Sequence, residues 1–221
     1  MNHKNLTQTA KSSLNHSLPT NSLVTKKHLR TIIRQQRRSL SVKQQNIAAK
    51  KLIANIVTSQ CLLRHKHIAL YLENDGEISP HLLIEKLWQY QKKVYLPTIN
   101  PLKKDELVFC LYKKASPLIK NRFGIKEPDF PTATRIPAKY LSLVFLPLVA
   151  FDEHGNRMGM GGGFYDKAFA IKTNKTTSRP QLIGLAHDFQ KQNKLTVEAW
   201  DIPLSGVVTD KGKYLQGNLR L

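Results

Sequence analysis

Apolar residues recur along this chain at two periods, helical and extended, and their alternation predicts the fold. A basic helix is expected from about Lys26 to Arg38. Ser41 and Gln44 then form a capping box for a second helix, since each side chain can satisfy a backbone N–H of the other. Ala49, Leu52, Ile53, Ile56 and Val57 give that helix an apolar stripe at the spacing of one helical face. His67–Leu72 reads as a strand, followed by the turn-like Asn74-Asp75-Gly76. Ser79 as N-cap and Pro80 at the first helical position open a helix with Leu83, Leu87 and Tyr90 on one face. Val94–Ile99 and Leu107–Tyr112 are further strands, and an irregular stretch runs from Ser116 to Pro137.

The run Leu141–Ala150 is almost continuously apolar, as expected of a central strand covered on both faces. A glycine-rich turn, a helix through Phe169, and strands at Gln181–Ala186 and Gly206–Thr209 complete the pattern. Strand and helix in alternation predict an α/β fold: a three-layer α/β/α sandwich with a mostly parallel sheet, in a single domain preceded by basic N-terminal helices. Residues 1–24, rich in Asn, Ser, Thr and His without helical period, read as a disordered extension, leaving 25–221 as the domain. No run reaches the roughly 18 apolar residues of a membrane helix, so a soluble, cytoplasmic protein is expected. Cys61 and Cys110 lack metal-ligand spacing and read as two buried thiols.

Charge changes this picture through its placement. The chain holds 35 Lys plus Arg against 15 Asp plus Glu, and the first carboxylate is Glu73; thirteen basic residues precede it. Such an acid-free segment can serve nucleic acid, an acidic membrane surface or anionic small molecules, or be a solvated helix face. Residues 1–66 contain no Phe, Tyr or Trp, which argues against specific nucleic-acid binding, because single-strand readers interleave aromatics with charge.

Candidate chemistry concentrates in Arg157-Met158-Gly159-Met160-Gly161-Gly162-Gly163-Phe164-Tyr165-Asp166, just after the most buried strand and before a helix. Ligands of open α/β sheets bind at such strand ends. The glycines let backbone N–H groups approach a polyphosphate. Arg157 can pair with phosphate oxygens, and as a ligand-facing residue it should add little to stability. Asp166 is the kind of oxygen ligand Mg²⁺ uses beside phosphates. The run is neither a Walker A loop, since no Lys-Ser/Thr follows, nor G-x-G-x-x-G, since Phe164 takes the last glycine position.

This segment, with Pro147-Leu148-Val149-Ala150-Phe151-Asp152 ahead of it, resembles the signature of the 5-formyltetrahydrofolate cyclo-ligase family, also called methenyltetrahydrofolate synthetases. Lys26-Lys27-His28-Leu29-Arg30 with Arg37-Arg38-Ser39-Leu40-Ser41, Asp75-Gly76-Glu77-Ile78, Tyr95-Leu96-Pro97, Gly124-Ile125-Lys126-Glu127-Pro128, Ala186-His187-Asp188 and Trp200-Asp201-Ile202-Pro203-Leu204 fall in the family's order. The resemblance implies an ATP-dependent ligase of one-carbon metabolism that converts 5-formyltetrahydrofolate to 5,10-methenyltetrahydrofolate, releasing ADP and phosphate. It implies phosphorylation of the formyl oxygen, then ring closure by N10. Lys26, Lys27, His28, Leu29 and Arg30, with Arg157 through Tyr165, would hold ATP; Leu72, Glu77 and the run Met160, Gly161, Gly162, Gly163, Phe164 would contact the reduced folate, with or without a polyglutamate tail. Asp166 and Asp201 would hold Mg²⁺, and Arg157 and Tyr165 would act in catalysis. Two departures stand out: the aromatic pair, commonly Tyr-Tyr, is Phe164-Tyr165, and a position often Lys or Arg is Gly162. His187 and Asp152 read as structural residues. Another Mg-ATP phosphotransferase on a related scaffold, and a basic nucleic-acid-binding protein, stay open as alternatives.

Overall fold

The computed structural model describes residues 25–57, 61–103, 105–170 and 180–217. In chain order its elements are α1 (Lys26–Arg38), α2 (Val42–Val57), α3 (Cys61–Arg64), β1 (His67–Ala69), α4 (His81–Gln89), β2 (Lys93–Ile99), β3 (Leu107–Leu111), β4 (Leu118–Lys120), β5 (Lys126–Pro128), β6 (Arg135–Ile136), β7 (Leu143–Pro147), β8 (Ala150–Phe151), β9 (Arg157–Met158), α5 (Phe164–Phe169), β10 (Gln181–Ala186), β11 (Gly206–Thr209) and β12 (Lys213–Leu215). Eight strands form the main sheet in the order β12-β11-β10-β7-β1-β2-β3-β6. From β11 to β2 all neighbours are parallel, whereas β12 and β3 pair antiparallel at either side.

Alternation along the strands sends side chains to two cores. Ile68, Val94, Phe145, Ile183 and Val208 meet Leu52 and Ile56 of α2 and Leu83, Ile84 and Leu87 of α4 on one face. Ala69, Tyr95, Val144, Leu146, Leu182 and Val207 meet Phe169 of α5 on the other. The expected three layers are therefore present. The basic helices do not both precede the sandwich, however: α2 is one of its layers, buried through Ala48, Ala49, Leu52 and Ile56. Full burial of Leu52 and Ile56 contributes about 1.5–3 kcal/mol apiece. The Ser41–Gln44 capping box forms as expected, with Ser41 N–H donating to Gln44 Oε1 at 2.8 Å. Helix α1 packs Ile33 against Val149, Ala150, Met158 and Leu195, outside the two main cores.

Several boundaries differ from the expectation, mostly where the chain turns toward the site. β1 stops at Ala69 because Tyr71 and Leu72 leave the ladder, although Leu70 N–H still donates to Tyr95 O. β7 stops at Pro147, and the next residues form the separate β8–β9 hairpin. The stretch expected to be irregular contains the β4–β5 hairpin and the short edge strand β6. Pro80 rather than Ser79 holds the cap position of α4, and Tyr90, just past its last turn, is exposed. Cys110 is buried; the side chain of Cys61 and all of residues 1–24 lie outside the described residues. Among the described residues, no helix is long and apolar enough to cross a membrane.

Candidate active site

A cleft of about 870 Å³ opens where β1, β2 and β7 end, walled by the loops that follow them and by α1, β9, α5 and the β4–β5 hairpin. It is lined by Lys26, Arg30, Leu72, Glu77, Asp201 and the whole run from Arg157 to Asp166. Thus residues expected from distant parts of the sequence meet in one place. Lys27, His28 and Leu29 are not part of its lining: the first two are exposed, and Leu29 packs against the core beneath α1.

Arg157, Arg30 and Lys26 bring positive charge to the lining. Arg157, on β9, donates from Nη1 to Ile202 O and from Nη2 to Asp166 Oδ1 on α5. Its side chain is only 6% exposed, so it supports structure as well as facing the cleft, contrary to the expectation of a purely ligand-facing residue. Between Arg157 and Asp166 the chain loops out through Gly161 at φ +99° and Gly163 at φ +63°, conformations that favour glycine. A Cβ on Gly162 would lie 2.8 Å from the Phe164 ring. A larger residue at position 162 would require that ring to move. Arg30 Nε donates to Gly159 O at 2.9 Å, tying α1 to the loop. Lys26 pairs with Glu198 at 2.9 Å, an exposed contact worth little by itself.

Asp166 and Asp201 both line the cleft. Asp166 Oδ1 also accepts from Ile202 N–H at 3.3 Å, and Asp201 Oδ2 from Glu198 N–H at 2.8 Å. Among the described residues no group of three or more His, Cys, Asp or Glu could hold a metal alone. Two carboxylates beside a phosphate-sized wall fit Mg²⁺ bound mainly through phosphate oxygens and water, the manner in which that ion usually joins a protein.

Leu72, Leu96, Ile99 and Ile125 give the same cleft an apolar part, and Glu77 also lines it. Burial pushes the Glu77 carboxyl up to about 7, against the opposing pull of Arg37. Burial, then the negative charge of Glu77, raises the Tyr165 hydroxyl well above its ordinary value, so it stays a proton donor at neutral pH. Asp75 accepts from Arg34 and Arg37 at 2.7 Å each and from Arg38. Sequence reading placed Arg37 and Arg38 only in a motif and missed the Asp75 cluster. It also missed Asn121, Phe123 and Glu127 of the hairpin; the one signal there was Glu127 within Gly-Ile-Lys-Glu-Pro. Glu127 staples the wall, accepting from Ile99 N–H at 3.2 Å and Asn121 Nδ2 at 2.8 Å. Asp152 shapes its turn as expected, accepting from His154, Asn156 and Leu195 N–H groups. His187 is buried, stacks on Phe189 and approaches Gly76 O at 3.3 Å, a structural placement.

A crevice at the ends of parallel strands, with a glycine loop and arginines in its wall, is the setting in which open α/β sheets bind ligands. The family model described as the 5-formyltetrahydrofolate cyclo-ligase family matches residues 22–210. The chain is 41% identical over 178 residues to the 5-formyltetrahydrofolate cyclo-ligase of Escherichia coli, covering 80% of this chain and 96% of that protein. It is 39% identical over 183 residues to the Haemophilus influenzae protein of the same name, covering 83% and 96%. The solved structure of Aquifex aeolicus 5,10-methenyltetrahydrofolate synthetase shares the fold at TM-score 0.74 and 27% identity, covering 89% of this chain and 95% of that one. The chain belongs to the 5-formyltetrahydrofolate cyclo-ligase family and is an enzyme of that family.

Proposed function

We propose that this enzyme converts 5-formyltetrahydrofolate to 5,10-methenyltetrahydrofolate in the cytoplasm, with ATP becoming ADP and phosphate. The observation that carries the reading is the composition of this cleft, in which Arg157, Arg30 and the glycine loop share one lining with Glu77, Leu72 and Leu96. ATP binds along the loop with its phosphates near Arg157, Arg30 and Lys26, while the reduced pterin lies against Leu72 and Leu96. The Glu77 carboxylate accepts hydrogen bonds from pterin N–H groups.

The formyl oxygen attacks the γ-phosphorus and ADP leaves; the neighbouring N10 amine then adds to the activated formyl carbon, loses its proton, and phosphate departs as the ring closes. Phosphoryl transfer of this kind is promoted chiefly by positioning and charge neutralisation. Arg157, fixed at both ends of its guanidinium, offers charge with little reorganisation. The protonated Tyr165 hydroxyl donates a hydrogen bond to an oxygen on the transferring group. Mg²⁺, held by Asp166 and Asp201 when bound with the nucleotide, supplies charge neutralisation at phosphate oxygens.

The test is direct. Purified protein with 5-formyltetrahydrofolate should generate methenyl absorbance only when ATP and Mg²⁺ are both present. No product under any nucleotide condition would sink the folate reading.

A further inference from the structure

Among the described residues, Arg37 is the one arginine whose side chain is entirely buried, and its surroundings are unusual for a packing role. Its Nη2 donates to Asp75 Oδ2 at 2.7 Å and its Nη1 to Leu148 O at 3.2 Å; Nη1 also lies 3.9 Å from Glu77 Oε1. Its Nε is buried without a partner among the described residues. A buried guanidinium is costly unless its charge has work to do, and an apolar side chain would fill the same space more cheaply.

That work is visible in the loop it touches. Asp75 sits at φ 53° and Gly76 at φ 73°, so a non-glycine residue is kept in a sparsely populated conformation that persists only under external restraint. A Cβ on Gly76 would lie 2.7 Å from the Arg37 backbone carbon, so the loop is pressed against the helix. Gln45 Nε2 donates to Gly76 O at 3.1 Å and to Arg37 O at 3.4 Å, bridging loop and helix. The carboxylate of Glu77 is drawn back onto Asn74 N–H at 3.1 Å. Three arginines converge on the single carboxylate of Asp75, leaving positive charge in excess beside Glu77. Besides Arg37, the groups facing Glu77 are Tyr165 from α5 and Tyr71, Glu73 and Asp75 from the chain leading into the loop. Meanwhile Lys26 and Arg30, on earlier turns of the same helix, line the same cleft as Glu77.

We propose that Arg37 is a positioning residue, which holds the Glu77 loop through Asp75 and ties it to the helix that carries Lys26 and Arg30. One rigid helix thereby sets the distance between Glu77 and those two cations. The proposal rests on the reading of Glu77 as the carboxylate that meets the folate.

Full-length Arg37→Met and Arg37→Lys test it, with circular dichroism to verify folding. kcat/KM for 5-formyltetrahydrofolate should fall about ten- to a hundredfold, as loss of alignment commonly does, while KM for ATP stays within about twofold. The acid limb of that kcat/KM against pH should move to higher pH in Arg37→Met, less so in Arg37→Lys, and should not move when Arg37→Met is added to Glu77→Gln. Should Arg37→Met fail to fold, the lysine variant carries the same readouts. An unmoved acid limb, or KM rising equally for both substrates, would overturn the positioning role. A wild-type KM for 5-formyltetrahydrofolate in Glu77→Gln alone would instead overturn the folate reading beneath it.

Discussion

Arg157 donates to Asp166 across the base of the glycine loop, so one ion pair closes the segment whose backbone walls the cleft. The pair is largely buried on the arginine side, which means that the proposed phosphate contact and the proposed metal ligand hold each other before any ligand arrives. Catalytic preorganisation of this kind reduces the rearrangement left for the chemical step.

Replacing Arg157 should therefore show two effects. Arg157→Ala should lower kcat/KM by about one to two decades through loss of a charge-assisted contact. It should also lower stability by about 1–3 kcal/mol, because Asp166 and Ile202 O lose their donor. Steady-state kinetics and a thermal melt check both, and a fully active variant would remove Arg157 from the phosphate site.

Asp166→Asn keeps the shape of the side chain and removes its charge. The Mg²⁺ concentration for half-maximal rate should rise, with KM for 5-formyltetrahydrofolate little altered. A Mg²⁺ titration at saturating ATP decides the matter. If it is unchanged, Asp166 serves only to hold Arg157.

Glu77 should make both stability and binding depend on pH. Its folded value near 7 lies above the ordinary 4.5, so between those values the folded state binds more protons than the unfolded chain. Stability then falls as pH rises through about 4.5 to 7, by roughly 3 to 3.5 kcal/mol in total. Glu77→Gln should flatten that slope. Substrate N–H groups favour the carboxylate, so 5-formyltetrahydrofolate should bind more tightly from pH 6 to 8 and release a fraction of a proton near pH 7. Calorimetry in two buffers of different ionisation enthalpy would detect this release in the wild type and its loss in Glu77→Gln.

The basic helix offers a contrast between small and large anions. Lys26→Ala with Arg30→Ala should raise KM for ATP about tenfold or more, since two charge-assisted contacts are lost. Generic RNA should bind weakly and lose affinity steeply with added salt. Tight, salt-resistant RNA binding combined with unaltered ATP kinetics would contradict the proposed role of α1.

Much of the architecture was legible in the chain because it follows from local chemistry. The helical period from Lys26 to Arg38, the Ser41–Gln44 box and the apolar strands Gln181–Ala186 and Gly206–Thr209 each carry their signal within a few residues. The glycine run after a buried strand likewise pointed to a loop that lines the cleft, and the motif order named the family. Shorter elements were not legible. Strands β4, β5, β6 and β12 have two or three residues each, too few for an alternating pattern, and their pairing is decided by partners distant in sequence.

Which groups meet, and in what electrostatic state, was decided only by the tertiary structure. Nothing in the spacing of Arg34, Arg37 and Arg38 says that they close on Asp75, about forty residues away in sequence. Nor does the sequence say that Glu77 lies buried beside Arg37, or that Arg157 is shielded by Ile202 and Asp166. Local composition specifies helices and strands because backbone conformation depends on near neighbours. Burial, ion pairing and shifted protonation depend on dielectric and distance, which exist only once β1, β7 and α1 have brought their ends together.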